Sequence, residues 1–139
     1  MNYYIIAKDI WNGKIKKTDT IVNSKTSEYI DNIAADSLAL FVIANKTEPE
    51  NLKIKFSFKG LSMIKNYKCK NTDNYSLRPY GTQVPIEPGK PFYAFAYILP
   101  YEKDGFQYYC AVEYSGKDIE KWHQEFGIEH YILFEMKFY

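Results

Sequence analysis

The amino-acid sequence predicts an all-β fold, an antiparallel β-sandwich of eight or nine strands with one or two short helices. Three observations carry this. Residues 52–58 alternate Leu52, Ile54, Phe56 and Phe58 with Lys53, Lys55 and Ser57, the two-residue period that places one set of side chains in a core and the other in water. Similar segments recur along the chain, separated by strong turn pairs such as Asn12-Gly13 and Pro88-Gly89. Aromatic residues reach 18% while charged residues stay at an ordinary 25%, a composition that favours an aromatic core over disorder.

The elements follow in order. Residues 3–11 and 14–22 are rich in β-branched and aromatic side chains and meet across Asn12-Gly13, a pair suited to the positive backbone angles of a two-residue hairpin. Residues 23–36 are polar, with Tyr29, Ile30, Ile33 and Ala34 spaced for one helical face, so a short helix or ordered loop is expected. Residues 38–44 form an unbroken apolar run, which predicts a central strand covered on both faces. A long loop over 45–51 should then lead into the strand at 52–58. Gly60 interrupts the pattern, a less regular strand follows over 61–70, and a polar loop runs on to Gly81.

Pro88-Gly89 should turn a strand at 82–87 into one at 91–99, where proline presets the first turn torsion and glycine accepts the positive one. Large and small side chains divide the two faces of 91–99, so both are expected to be covered. After a turn at 101–105, alternation resumes over 106–115. Ser115 then caps a short helix with Ile119, Trp122 and Phe126 on one face, ended by Gly127. A final strand alternates from Ile128 to Phe138.

A length of 139 residues suits one domain over 1–139 with a sizeable core. Net charge is only +1, without the basic excess of a dedicated nucleic-acid binder. The charge is uneven, however. Residues 1–70 hold twelve lysines against seven acids, net +5, and residues 71–139 hold six basic residues against ten acids, net −4. No apolar run approaches the roughly 20 residues of a membrane-spanning helix. Residues 1–9 carry no signal-peptide pattern, so a cytoplasmic location is expected.

Chemistry-bearing motifs are sparse. Cys69 and Cys110 are the only cysteines, too few for a disulfide scaffold or a zinc site, and both are expected as free thiols. His123 and His130 lack metal-pair spacing and read as one surface and one strand histidine. There is no phosphate loop or nucleophile elbow. No catalytic residue, metal or cofactor is therefore expected. Lysines dominate residues 46–70, where they can protect a sheet edge from aggregation or select an acidic partner. Tyrosines number fourteen, and several fall at strand ends, where they can anchor a protein interface or stack on sugar rings.

The run Leu38-Ala39-Leu40-Phe41-Val42-Ile43-Ala44-Asn45-Lys46-Thr47, the alternating strand after it, and Val84-Pro85-Ile86-Glu87-Pro88-Gly89 before an aromatic strand together resemble the calpain-type, C2-like β-sandwich domains of calpain-like proteins of ciliated protists. The resemblance covers about residues 38–114. It implies a docking or regulatory module without proteolytic residues of its own. Calcium-binding members cluster aspartates in their loops, whereas this chain offers isolated Asp73 and Asp104.

These readings give a non-enzymatic protein-interaction or structural subunit of a larger assembly, cytoskeletal or ciliary if the resemblance holds. Tyr75, Tyr80, Tyr101 and Phe106 would anchor an interface, and Lys53, Lys55 and Lys59 would select a protein partner with an acidic surface. The alternative is a carbohydrate- or other ligand-binding sandwich in which the same tyrosines form the platform.

Overall fold

The computed structural model describes residues 2–26, 40–58, 61–72, 74–79, 86–108 and 122–139. β1 (Tyr3–Trp11) and β2 (Lys14–Asn23) form the expected hairpin. Asn12 and Gly13 take φ values of 50° and 79°, the paired positive angles that match the twist of the flanking strands. β1 then pairs with the last strand, β10 (His130–Phe138), in an uninterrupted antiparallel register from Tyr3↔Phe138 to Trp11↔His130. On its other side β10 pairs with β7 (Phe92–Ile98), and β6 (Ser76–Pro79) closes that edge. The order is β2-β1-β10-β7-β6.

A second antiparallel sheet contains β3 (Phe41–Glu48), β4 (Asn51–Phe58) and β5 (Leu61–Lys68), in that order. β8 (Tyr101–Lys103) and β9 (Phe106–Tyr108) form a separate two-stranded ribbon. The described helix, α1 (Trp122–Phe126), ends where Gly127, at φ 69°, donates its N–H to the His123 carbonyl.

The two larger sheets face each other across one core. Leu52, Ile54 and Phe56 of β4 pack with Tyr3, Ile5 and Ala7 of β1 and Ile132, Phe134 and Met136 of β10. Strand parity puts each of these sets on a single face. Phe134 sits at the middle, its ring centroid 5.6 Å from Phe56 across the sheets and 4.5 Å from Phe95 within its own. On the reverse face of the five-stranded sheet a smaller core joins Ile10, Ala96, Ile98, Tyr131 and Leu133 to Trp122 of α1. β10 is thus covered on both faces, and its first five residues are all buried.

Several expectations need correction. Within the apolar run at 38–44, residues 41–44 begin a strand that lies at the edge of its sheet among the described residues, with one open face, since Phe41 is 69% and Ile43 61% exposed. A continuous apolar run does not say which face is covered, and β10 already takes the central, doubly covered place. The expected long loop after it is a short turn, because β3 continues to Glu48 and β4 begins at Asn51. Within the polar loop after Lys70, residues 76–79 form β6, with Pro79 on the sheet edge where a missing N–H is tolerated. Ile86 and Glu87 are not in a strand. The rest of the strand expected at 82–87, most of the segment at 23–36, the start of the expected helix at Ser115, and Cys110 lie outside the described residues. The hairpin, β4, the final strand and the end of α1 agree with the sequence.

Truncating Phe134→Ala should cost about 3–5 kcal/mol by leaving a void between the sheets. Urea unfolding would measure this; a loss below about 1 kcal/mol, the scale of an ordinary substitution, would contradict the central position of this ring.

Candidate functional site

The inward row of β1 runs Tyr3, Ile5, Ala7 and then Asp9, and that of β10 begins with His130 before Ile132. Antiparallel pairing sets Trp11 opposite His130, which makes Asp9 its diagonal neighbour, close enough for side chains to meet. His130 is fully buried, and its Nε2 lies 2.6 Å from Asp9 Oδ1. A carboxylate only accepts, so Nε2 carries the proton and donates. The other ring nitrogen, Nδ1, is 2.6 Å from the Tyr75 hydroxyl, which also accepts the Lys70 backbone N–H at 3.0 Å.

Aromatic contacts lock this network. Trp11 stacks on His130 with centroids 3.8 Å apart and planes 15° from parallel, and Tyr75 stacks on Tyr97 at 5.0 Å. Burial pushes the Tyr75 phenol above its ordinary range, so it remains a neutral partner. Asp9, His130 and Tyr75 follow the order of a catalytic relay, yet both imidazole nitrogens are occupied and the indole covers the ring. No face of the histidine is open to a substrate. What the network presents is the outer side of Trp11, held in a fixed orientation.

That side borders a cavity of about 740 Å³ at the hairpin end of the sandwich, between edge strands β2 and β5 and the β3–β4 turn. A β-bulge shapes its wall. Asp9 pairs with Lys17 and Ile10 with Ile15, leaving Lys16 as the extra residue, and bulges re-aim side chains in this way. Consecutive lysines, which a regular strand would send to opposite faces, both line the cavity. Lys16 Nζ stands 5.8 Å from the Trp11 ring centroid and Lys17 Nζ 5.6 Å from that of Tyr67. Farther along the same seam, Asp19 links the sheets through the Tyr67 hydroxyl at 3.4 Å and Lys65 at 3.9 Å. Tyr67 is raised above the ordinary phenol range by burial and then by Asp19. Burial likewise raises the Cys69 thiol, which disfavours the thiolate that nucleophilic chemistry requires.

The residues expected to carry function are dispersed. Tyr75 is turned inward, its hydroxyl bound to His130 and its ring to Tyr97. Tyr101 packs on Phe126 at 4.9 Å and lines a second cavity of about 590 Å³, while Phe106 is 66% exposed on the ribbon. Lys53 and Lys55 project from the outer face of β4, opposite its buried row. Tyr80 and Lys59 lie outside the described residues. Asp9, Trp11, Lys16, Lys17 and His130 were not singled out by the sequence as a site. Their one sequence signal is parity: Asp9 and His130 each occupy an otherwise apolar row. Among the described residues, no group of three or more His, Cys, Asp or Glu is placed to hold a metal ion. Nor is any described helix long and apolar enough to cross a membrane. No family model matches the chain, and neither a curated protein nor a solved structure matches it.

Replacing Asp9→Ala strands the buried His130 N–H and should cost about 1–3 kcal/mol, accompanied by a change in Trp11 fluorescence as its support loosens. Denaturation curves and emission spectra check this. Unchanged stability would show that the Asp9–His130 bond does not hold the platform.

Proposed function

We propose that the protein is a non-enzymatic interaction module whose docking surface is the outer face of the three-stranded sheet. One observation carries the reading. In the register of that sheet Ile43, Lys55 and Ile64 form a single cross-strand row, with the two isoleucines 61% and 56% exposed. Phe41, 69% exposed, stands in the next row beside Ser57 and Ser62, and the row on the other side is Asn45, Lys53 and Asn66. Isolated exposed apolar side chains are ordinary, but three gathered on one face form a patch of the kind that marks contact sites.

Lysines set the polarity of this patch. Lys53 and Lys55 occupy its middle strand, and among the described residues neither has an acidic partner. An apolar surface bordered by carboxylates on a partner protein would complement it, with the aliphatic contacts supplying affinity and the charges orienting the encounter. The resemblance to calpain-type C2-like sandwiches favours the same role, because those domains dock. A place in a cytoskeletal or ciliary assembly belongs to that proposal.

The test is an affinity pull-down from native cell extract, comparing the parent chain with Ile43→Ser and Lys55→Glu variants. Both positions are exposed, so folding should change by no more than about 0.5 kcal/mol. The parent should capture a stoichiometric protein partner, and each variant should lose about tenfold or more in affinity. Capture that is equal for all three proteins would refute the assignment of this face.

A further inference from the structure

We propose that the cavity between β2 and β5 is a binding site for an acidic saccharide, with a sugar ring stacked on Trp11 and its carboxylate held by Lys16 and Lys17. This inference is independent of the docking face. Its volume of about 740 Å³ falls within the usual range of small-ligand sites. The aromatic wall is preorganised. Because His130 occupies one side of the Trp11 ring at 3.8 Å, the Lys16 ammonium standing over the ring belongs to the cavity side. A sugar entering there displaces the flexible Lys16 head group from a fixed indole face, so the aromatic wall itself needs no reordering on binding.

Charge defines the ligand's acidic end. Lys16, Lys17, Lys68 and Lys70 line the cavity against Asp9 and Glu50, four positive groups and two negative, net +2. Lys70 is engaged by Glu129 and Asp9 by His130. Among the described residues, Lys16 and Lys17 contact only aromatic faces. The bulge that brings both lysines to one wall gives a carboxylate two adjacent donors.

The remaining lining distinguishes a sugar from a simple anion. The lining also includes a carboxylate residue, Glu50, and an amide residue, Asn71. Carboxylates repel phosphate but accept from hydroxyl groups. A polyhydroxylated ring with one carboxylate satisfies both sets, whereas inorganic phosphate or a neutral sugar satisfies only one.

The experiment titrates the full chain with trigalacturonate, followed by tryptophan fluorescence and calorimetry, alongside maltotriose and inorganic phosphate. Trigalacturonate should bind saturably, quench or shift Trp11 emission, and weaken as salt rises. Lys16→Gln and Lys17→Gln should each reduce affinity about tenfold, and Trp11→Leu should abolish the fluorescence change. Lys90→Gln, on a distant exposed turn, should leave binding unchanged. If Trp11→Leu does not fold, the two lysine variants still decide the outcome. No saturable binding of trigalacturonate at millimolar concentration, equal binding of maltotriose or phosphate, or affinity unaffected by both lysine variants would overturn the proposal.

Discussion

Leu52, Ile54 and Phe56 lose all their exposed surface because the inner face of β1 and β10 lies against them. Each such side chain contributes on the order of 1.5–3 kcal/mol when fully buried, and their row is what joins a three-stranded sheet to a five-stranded one. β10 is the counterpart that makes the junction possible. It is hydrogen-bonded to a neighbour on either side, packed on β4 in front and on Trp122 behind. The other surfaces of the molecule take their orientation from this contact.

Both proposed surfaces follow from it. Strand parity requires that if Ile54 points to β10, Lys53 and Lys55 point away, and the in-register neighbours Ile43 and Ile64 go with Lys55. The outer patch is the complement of the core row. The cavity has a different origin. Toward the β1–β2 turn the inward rows cease to be apolar, and Asp9 and His130 bond to each other. There the indole of Trp11 caps the core and the bulge at Lys16 turns charge toward the seam. The polar network therefore supports the aromatic wall.

Much of this was legible in the residues, and the limits have a physical cause. The period of β4 correctly separated Leu52, Ile54 and Phe56 from Lys53 and Lys55, and Asn12-Gly13 marked its hairpin. Period alone does not say whether a second face is covered, which is why Phe41 and Ile43 looked central although they lie on an edge. Short strands such as β6, whose four residues include Arg78 and Pro79, carry no periodic signal and form because β7 offers an edge. Tyr75 looked like a loop anchor and is instead held by His130, a partner 55 positions away. The Asp9–His130 bond spans 121 positions. Such pairs require the register of β1 on β10, and nothing local in the sequence encodes it.

β4 presents its apolar row to β10 and so turns the Ile43–Lys55–Ile64 row outward. Hydroxyl-radical footprinting of the isolated protein, read residue by residue, reports on this arrangement. Phe41, Ile43 and Ile64 should oxidise rapidly, with Phe56, Phe134 and Trp122 protected until the chain unfolds. Protection of Ile43 and Ile64 in the isolated chain, or oxidation of Phe56 and Phe134 at the rate of Phe41, would contradict it.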